Sequence, residues 1–71
     1  SMEHFSAFES SNISQISYDE TTGTLQVTFH NGGAYQYFDV SANKWEAFKA
    51  ADSKGQFLHQ QIKDQHRFVK M

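Results

Sequence analysis

Cysteine and proline are both absent from this chain of 71 residues, and no long apolar run occurs in it. The lack of cysteine excludes disulfides and thiolate metal sites, and it is typical of a reducing compartment, so we expect a cytoplasmic protein. A membrane-spanning helix needs about 20 consecutive apolar residues, and a signal peptide needs a basic start before an apolar stretch. Neither pattern is present, so the sequence predicts no membrane association.

Basic residues are missing from residues 1–40, which carry five acidic residues. Residues 41–71 carry all six basic residues against three acidic ones. The six are Lys44, Lys49, Lys54, Lys63, Arg67 and Lys70. Such segregation favours a basic surface for a phosphate backbone, although helices also collect lysines on their solvated faces.

Aromatic residues are plentiful by contrast: seven Phe, three Tyr and one Trp. Each ring can bury about 150–250 Å², which offsets the thin core expected of one short domain. Ser1 ahead of Met2 is typical of a remnant of tag cleavage, and it takes no part in the fold prediction.

Alternation of apolar and polar residues predicts three strands. They lie at 12–18, 24–30 and 34–40. In the second, which is the clearest, Leu25, Val27 and Phe29 share one face. Ile13 breaks the alternation of the first strand, which predicts a late start or a bulge there.

Helical spacing follows residue 40 and predicts two helices, over 41–52 and 53–68. Ser53 and Gln56 have the S-x-x-Q pattern of a capping box, which places a corner between the helices. The predicted fold is α+β, a three-stranded antiparallel meander followed by two short helices packed on one face (βββαα). The predicted organisation is an N-terminal segment at 1–9, a single domain at 10–68 and a tail at 69–71.

The loop after the second strand decides which way Tyr35 and Tyr37 point. A two-residue Asn31-Gly32 turn would put both rings on the polar face. A three-residue loop with a left-handed Gly32 instead sets Tyr35 opposite Val27, which turns both rings inward. Burial at about 25 cal/mol per Å² outweighs the turn preference, so we predict the second register. The predicted core is Leu25, Val27, Phe29, Tyr35, Tyr37, Trp45, Phe48, Phe57, Leu58 and Ile62.

This register leaves Phe38 on the outer face of the sheet. An exposed Phe there favours a partner surface or self-association. Alternatively, Phe5 or Phe8 folds over it, and the sequence leaves both interpretations open.

A spaced set of residues covers most of the chain. It comprises Ser10-Ser11, Ile13, Tyr18-Asp19, Leu25-x-Val27-x-Phe29, Gly32, Tyr35-x-Tyr37, Val40 and Ala51-x-Ser53-x-Gly55-x-Phe57. This set resembles the KTSC domain, in which a Tyr and a Leu stand at the positions of Trp45 and Phe48. The family commonly has Pro at the position of Ser41, which can still cap a helix. The resemblance implies a small domain found in some lysyl-tRNA synthetases and as a stand-alone protein of bacteria and their phages. The resemblance implies an association with RNA only because some members of the family are attached to a lysyl-tRNA synthetase.

Catalytic motifs are absent: the chain has no cysteine nucleophile, no G-x-S-x-G, no P-loop and no H-E-x-x-H. His59 and His66 lie two helical turns apart, about 10 Å, which is too far for one metal ion without further ligands. We therefore predict a non-catalytic protein with no metal and no cofactor.

The start of the second helix is the predicted anion site, because its free amides, hydroxyl and cation could hold one phosphate. The same residues could instead serve only as a helix cap. The nucleic-acid candidates are Ser53, Lys54, Gly55, Lys63 and Arg67, and the stacking or interface candidates are Tyr35, Tyr37 and Phe38. The predicted partner is RNA, with a protein partner or self-association as the alternative.

Overall fold

The computed structural model describes residues 1–71, which form a five-stranded sheet and two helices. The elements are β1 (Glu3–Phe5), β2 (Ile13–Asp19), β3 (Thr24–Phe29), β4 (Ala34–Tyr37), α1 (Ala42–Ala50), α2 (Lys54–Phe57) and β5 (Phe68–Lys70). All neighbouring strands are antiparallel, and their order in the sheet is their order in the chain. The α+β class is confirmed, but the count of three strands is wrong. The two added strands have three residues each, too few to show alternation. β1 lies in the segment 1–9, and β5 begins at Phe68, the last residue of the predicted domain and helix, and continues into the predicted tail.

The first two long strands, β2 and β3, contain the irregularity expected near Ile13. Ile13 lies opposite Phe29 while Gln15 lies opposite Thr28, so Ser14 is the extra residue of a β-bulge. The bulge returns Ile13 to the inner face, where it is fully buried.

The predicted register of β3 and β4 is confirmed. Tyr35 lies opposite Val27, and Tyr37 lies opposite Leu25. The Phe29 amide donates to the Gly33 carbonyl at 2.8 Å, and Gly32 has a φ of +92° in the loop. Both tyrosine rings therefore lie on the inner face.

The third predicted strand ends earlier than expected, at Tyr37. Asp39 has a φ of +58°, which turns the chain out of the sheet. Gly23 is required close by, because its φ is +71° and an added Cβ would lie 3.3 Å from the Val40 carbonyl oxygen.

The helices begin at serine caps. Ser41 Oγ accepts from the Lys44 amide at 3.1 Å, and Ser53 Oγ accepts from the Gln56 amide at 3.2 Å. The second helix was predicted to reach residue 68, but α2 passes into a π-helical segment, Leu58–Ile62, and ends there.

The core lies between the inner face of the sheet and the two helices. Its buried members are Ile13, Ile16, Tyr18, Leu25, Val27, Tyr37, Val40, Trp45, Phe48, Leu58 and Ile62. Phe29, Tyr35 and Phe57 are partly buried against them. The predicted core omitted four of these members: Ile13, Ile16 and Tyr18 of β2, and Val40. The outer face is polar and carries Ser17, Gln26 and Gln36 side by side.

Candidate binding groove

The helices do not cover the whole inner face of the sheet. Across one row of paired residues, Tyr18 and Tyr37 are each 5% exposed and Leu25 is fully buried, but Phe68 is 52% exposed. Trp45 of α1 stacks on Tyr18, with ring centroids 5.4 Å apart, so α1 lies over the β2 side. The β4–β5 side is consequently left partly open.

Four aromatic rings line this open side, and each of them contacts at least one other ring of the set. They are Phe29, Tyr35, Tyr37 and Phe68, and together we call them the aromatic panel. The centroid of Tyr35 lies 6.0 Å from that of Phe29, 6.3 Å from that of Tyr37 and 5.8 Å from that of Phe68. These separations are typical of favourable aromatic contacts, so the panel is a continuous π surface.

A groove of about 470 Å³ lies between the aromatic panel and the π-helical segment. Its remaining walls are mainly polar, with one glycine and one leucine. They are formed by Asn12, Gly55, Leu58, His59, Lys63 and Asp64. The groove therefore combines an aromatic floor with a rim that carries both hydrogen-bonding and charged groups.

The two buried tyrosines of the inner face differ in what their hydroxyls contact. The Tyr18 hydroxyl donates to the Val40 carbonyl at 2.7 Å, whereas the Tyr37 hydroxyl makes no hydrogen bond within the protein. No side-chain polar atom of the chain is fully sealed without a partner, so this hydroxyl keeps contact with solvent. Burial raises the pKa of Tyr37, and the nearby Tyr35 adds to the rise. The hydroxyl is thus a neutral, unpartnered group at the floor of the groove.

Lys54 differs from the sequence prediction of a surface cation. It is 5% exposed, and its Nζ donates to the Ala51 carbonyl at 2.5 Å. The rings of Phe8 and Phe5 lie 5.1 Å and 5.9 Å from the same atom. Lys54 is therefore enclosed by the N-terminal segment and cannot reach a phosphate. No pattern in the sequence indicates this arrangement, because the two rings lie more than 40 positions from Lys54 along the chain.

The neighbours of Lys54 also have structural roles. Ser53 caps α2, as described above, and Gly55 faces Asn12, whose Oδ1 lies 3.4 Å from the position of an added Cβ. The structure thus uses the Ser53-Lys54-Gly55 triplet to place α2 against the sheet.

Two further lysines are engaged within the fold. Lys44 Nζ donates to the Gln61 carbonyl at 2.8 Å and contacts His66 Nε2 at 2.9 Å. Lys49 forms salt bridges with Glu3 at 2.7 Å and with Glu46 at 3.1 Å. Hydrogen bonds from Lys49, and then from Trp45, lower the pKa of Glu3, and the bond to Glu3 raises the pKa of Lys49.

The other three cations lie near β5 and are exposed: Lys63, Arg67 and Lys70. Lys63 is on the rim of the groove, and Lys70 is paired with Tyr35, which places it on the panel side. The Arg67 guanidinium lies over the ring of Phe38, 5.1 Å from its centroid. Phe38 is consequently half-buried, and its cover is Arg67 rather than Phe5 or Phe8.

The histidines do not form a metal centre, and no group of three His, Cys, Asp or Glu side chains is close enough to hold a metal ion. His59 is on the rim of the groove. His66 is held by the Phe38 carbonyl at 2.9 Å and by Lys44. None of the helices is long and apolar enough to cross a membrane.

Three groove residues, Phe68, Asn12 and Asp64, were given no role by the sequence analysis. Phe68 was assigned to the end of a helix, although the polar run 63–67 before it was the available signal that the helix had ended. Asn12 lies just before the β2 bulge, and only the folded sheet brings it to α2.

The fold and groove define a small α+β domain with both helices on one face of a meander-like sheet. The chain belongs to the KTSC domain family, whose family model matches residues 9–68. A crystal structure of a KTSC domain protein from Yersinia pestis superposes with a TM-score of 0.91 at 32% identity, covering 100% of this chain and 99% of the other.

Curated relatives include two larger enzymes. The chain is 36% identical over 63 residues to a lysine–tRNA ligase of Trichormus variabilis and 38% identical to one of Nostoc punctiforme. In each case the match covers 89% of this chain but only 11% of the ligase. An uncharacterized protein of Stutzerimonas stutzeri is 35% identical over 60 residues, and the match covers 84% of both chains.

Proposed function

We propose that this chain is a non-catalytic accessory module that binds RNA through the β5 edge. The observation that carries the proposal is the distribution of the cations. Three of the six are engaged within the fold. Of the three exposed ones, Lys63 lines the groove together with the exposed ring of Phe68, Lys70 lies on the same face of the sheet, and Arg67 lies over Phe38 on the other face. Cations next to an aromatic ring are the common composition of surfaces that bind single-stranded nucleic acid. The lysine–tRNA ligases among the relatives act on an RNA, which agrees with this ligand.

The charge balance sets the expected strength and character of binding. The net charge of −2 disfavours general attraction to RNA, so affinity would come from the local cluster. Three cations that each neutralise one phosphate give a log–log salt slope of at most about −2.7 for B-DNA-like ligands and about −2.1 for single strands. We therefore expect weak, salt-sensitive binding.

The test is the affinity of the chain for tRNA, measured by fluorescence anisotropy at low and at physiological salt. Lys63→Ala should weaken binding and reduce the salt slope by about 0.7–0.9. Ala42→Glu is the matched control, since it also lowers the net charge by one unit but lies on the β1 side, beside Trp45 and Tyr18. Absence of tRNA binding by the wild-type chain at low salt would refute the proposal. Equal losses in both variants would show that only overall charge matters.

A protein partner is the second candidate, because β5 and the residue that follows it carry every large apolar side chain that is exposed. Phe68, Val69 and Met71 are 52%, 46% and 62% exposed, and edge strands can accept a strand of another chain. Such binding would hardly depend on salt, which separates it from RNA binding. Particle mass in solution, with Val69→Ser as the comparison, tests self-association at this edge.

A further inference from the structure

We propose that the groove holds a single unstacked base of an RNA strand, an inference that rests on RNA being the ligand. The site would comprise the aromatic panel, the Tyr37 hydroxyl, Asn12 and Lys63. Sites for small ligands are usually concave and mainly apolar, with a few placed polar groups that fix the ligand's orientation.

The aromatic panel offers a stacking surface for a base. Phe68 and Tyr35 are the accessible rings, and both contact Tyr37, which fixes their positions from below. Every base has a π face, so stacking requires no particular sequence but does require that the base has left a duplex. The panel therefore favours single-stranded over paired RNA.

Two residues that line the groove, Tyr37 and Asn12, have polar atoms that make no hydrogen bond within the protein. The Tyr37 hydroxyl makes no hydrogen bond within the protein, although the residue is only 5% exposed. The Asn12 oxygen accepts from Ser10 at 3.1 Å, which leaves its amide nitrogen as a donor. A hydroxyl and an amide are suited to the donors and acceptors along the edge of a base.

The charges on the rim favour an aromatic ligand that carries negative charge, such as a nucleotide, over an apolar peptide. Lys63 lies on the rim and Lys70 is paired with Tyr35, so two cations flank the panel, partly balanced by Asp64. An apolar side chain in the groove would seal the Tyr37 hydroxyl without a partner, which is unfavourable. A volume of about 470 Å³ also suits one nucleotide and is too small for a docked helix.

The experiment compares single-stranded RNA of about ten nucleotides with the same strand annealed to its complement, by anisotropy. Phe68→Ser should weaken single-strand binding by about 5- to 100-fold. Val69→Ser is the matched control, because Val69 is similarly exposed and is paired with Gln36 on the outer face. Tyr37→Phe keeps the ring and should weaken binding by about 2- to 10-fold without lowering the melting temperature.

The outcomes separate this inference from the proposed function. Binding of the RNA strand with unchanged affinity in Phe68→Ser and Tyr37→Phe would overturn the base site and leave RNA binding in place. Equal affinity for duplex and single strand would overturn it too. No RNA binding by wild type would remove both proposals. A doubled particle mass that returns to the single value in Phe68→Ser would identify the occupant as a second copy, which also overturns the base site.

Discussion

At the residue scale, lysines of identical chemistry have opposite environments in this chain. Lys63 is exposed on the groove rim, whereas Lys54 is enclosed by Phe5 and Phe8 and bonded to the Ala51 carbonyl. A buried ammonium is tolerated when it has a hydrogen-bond acceptor and aromatic faces around it. Lys54 therefore attaches the N-terminal segment to α2, and it belongs to the fold rather than to the proposed binding surface.

We expect Lys54→Met to lower the free energy of unfolding by about 1–3 kcal/mol, because it removes a charged hydrogen bond and leaves the Ala51 carbonyl without its donor. Lys63→Met, at an exposed position, should change stability by less than about 0.5 kcal/mol. Urea unfolding followed by tryptophan fluorescence measures both. Equal stabilities of the two variants would contradict the role given to Lys54. RNA affinity should show the reverse order, with the larger loss in Lys63→Met.

Side-chain direction was the most predictable property at this scale. The directions of the Tyr35 and Tyr37 side chains follow from the two-residue period of a strand and from the length of one loop, and both are local properties of the sequence. The environment of Lys54 follows from a contact across most of the chain, for which the sequence carries no periodic signal. The predicted anion site contained Lys54 and so lost its cation, while Lys63 and Arg67 remained exposed.

At the element scale, β1 is attached to α1 through one carboxylate. Glu3 Oε1 accepts from Trp45 Nε1 at 3.0 Å, and Oε2 accepts from Lys49 at 2.7 Å. A three-residue strand has too few ladder bonds to be stable alone, so these side-chain bonds supply part of its attachment. Neither β1 nor β5 was predictable from alternation, whereas β3, with six residues and a clean period, was.

The pH dependence of stability should reflect Glu3. Its pKa is lowered in the folded state, chiefly by Lys49, so the stabilisation is complete above the ordinary carboxyl pKa of about 4.3. It is lost as the pH falls through the lowered folded pKa. Glu3→Gln should therefore lose less stability than wild type on acidification below about pH 5. Chemical unfolding at stepped pH tests this, and Glu46→Gln, which removes only the outer partner of Lys49, serves as control. Parallel curves for wild type and Glu3→Gln would rule out the bridge as a source of stability.

At the scale of the whole molecule, the helices are too short to cover five strands. α1 has nine residues, and α2 with its π-helical continuation ends at Ile62, so the buried rows end at β4 and the panel remains open beside β5. The sequence predicted which face the helices cover but not the extent of the cover, because that depends on the unpredicted fifth strand and on the early end of the second helix.

The loss of folding stability at high pH should depend on the ionisation of the two buried tyrosines. Burial raises the pKa of both Tyr18 and Tyr37, so the folded state holds these protons more tightly than the unfolded chain does. Their contribution is complete below the ordinary tyrosine pKa of about 10 and is lost as the pH rises through the raised values. Tyr37→Phe should therefore lose less stability than wild type between about pH 9 and pH 11. If the two proteins lose stability in parallel over that range, Tyr37 does not resist ionisation.

The position of β5 has a consequence for synthesis on the ribosome. Tyr35 and Tyr37 emerge early, but Phe68, which covers their side of the sheet, follows only after residues 38–67. Until then β4 is an open edge flanked by two bare rings, the kind of surface through which nascent chains associate. β5 therefore protects the β4 edge only after residues 38–67 have been made. A chain arrested before residue 68 should be released from ribosomes in aggregated form, while a chain that includes β5 should not.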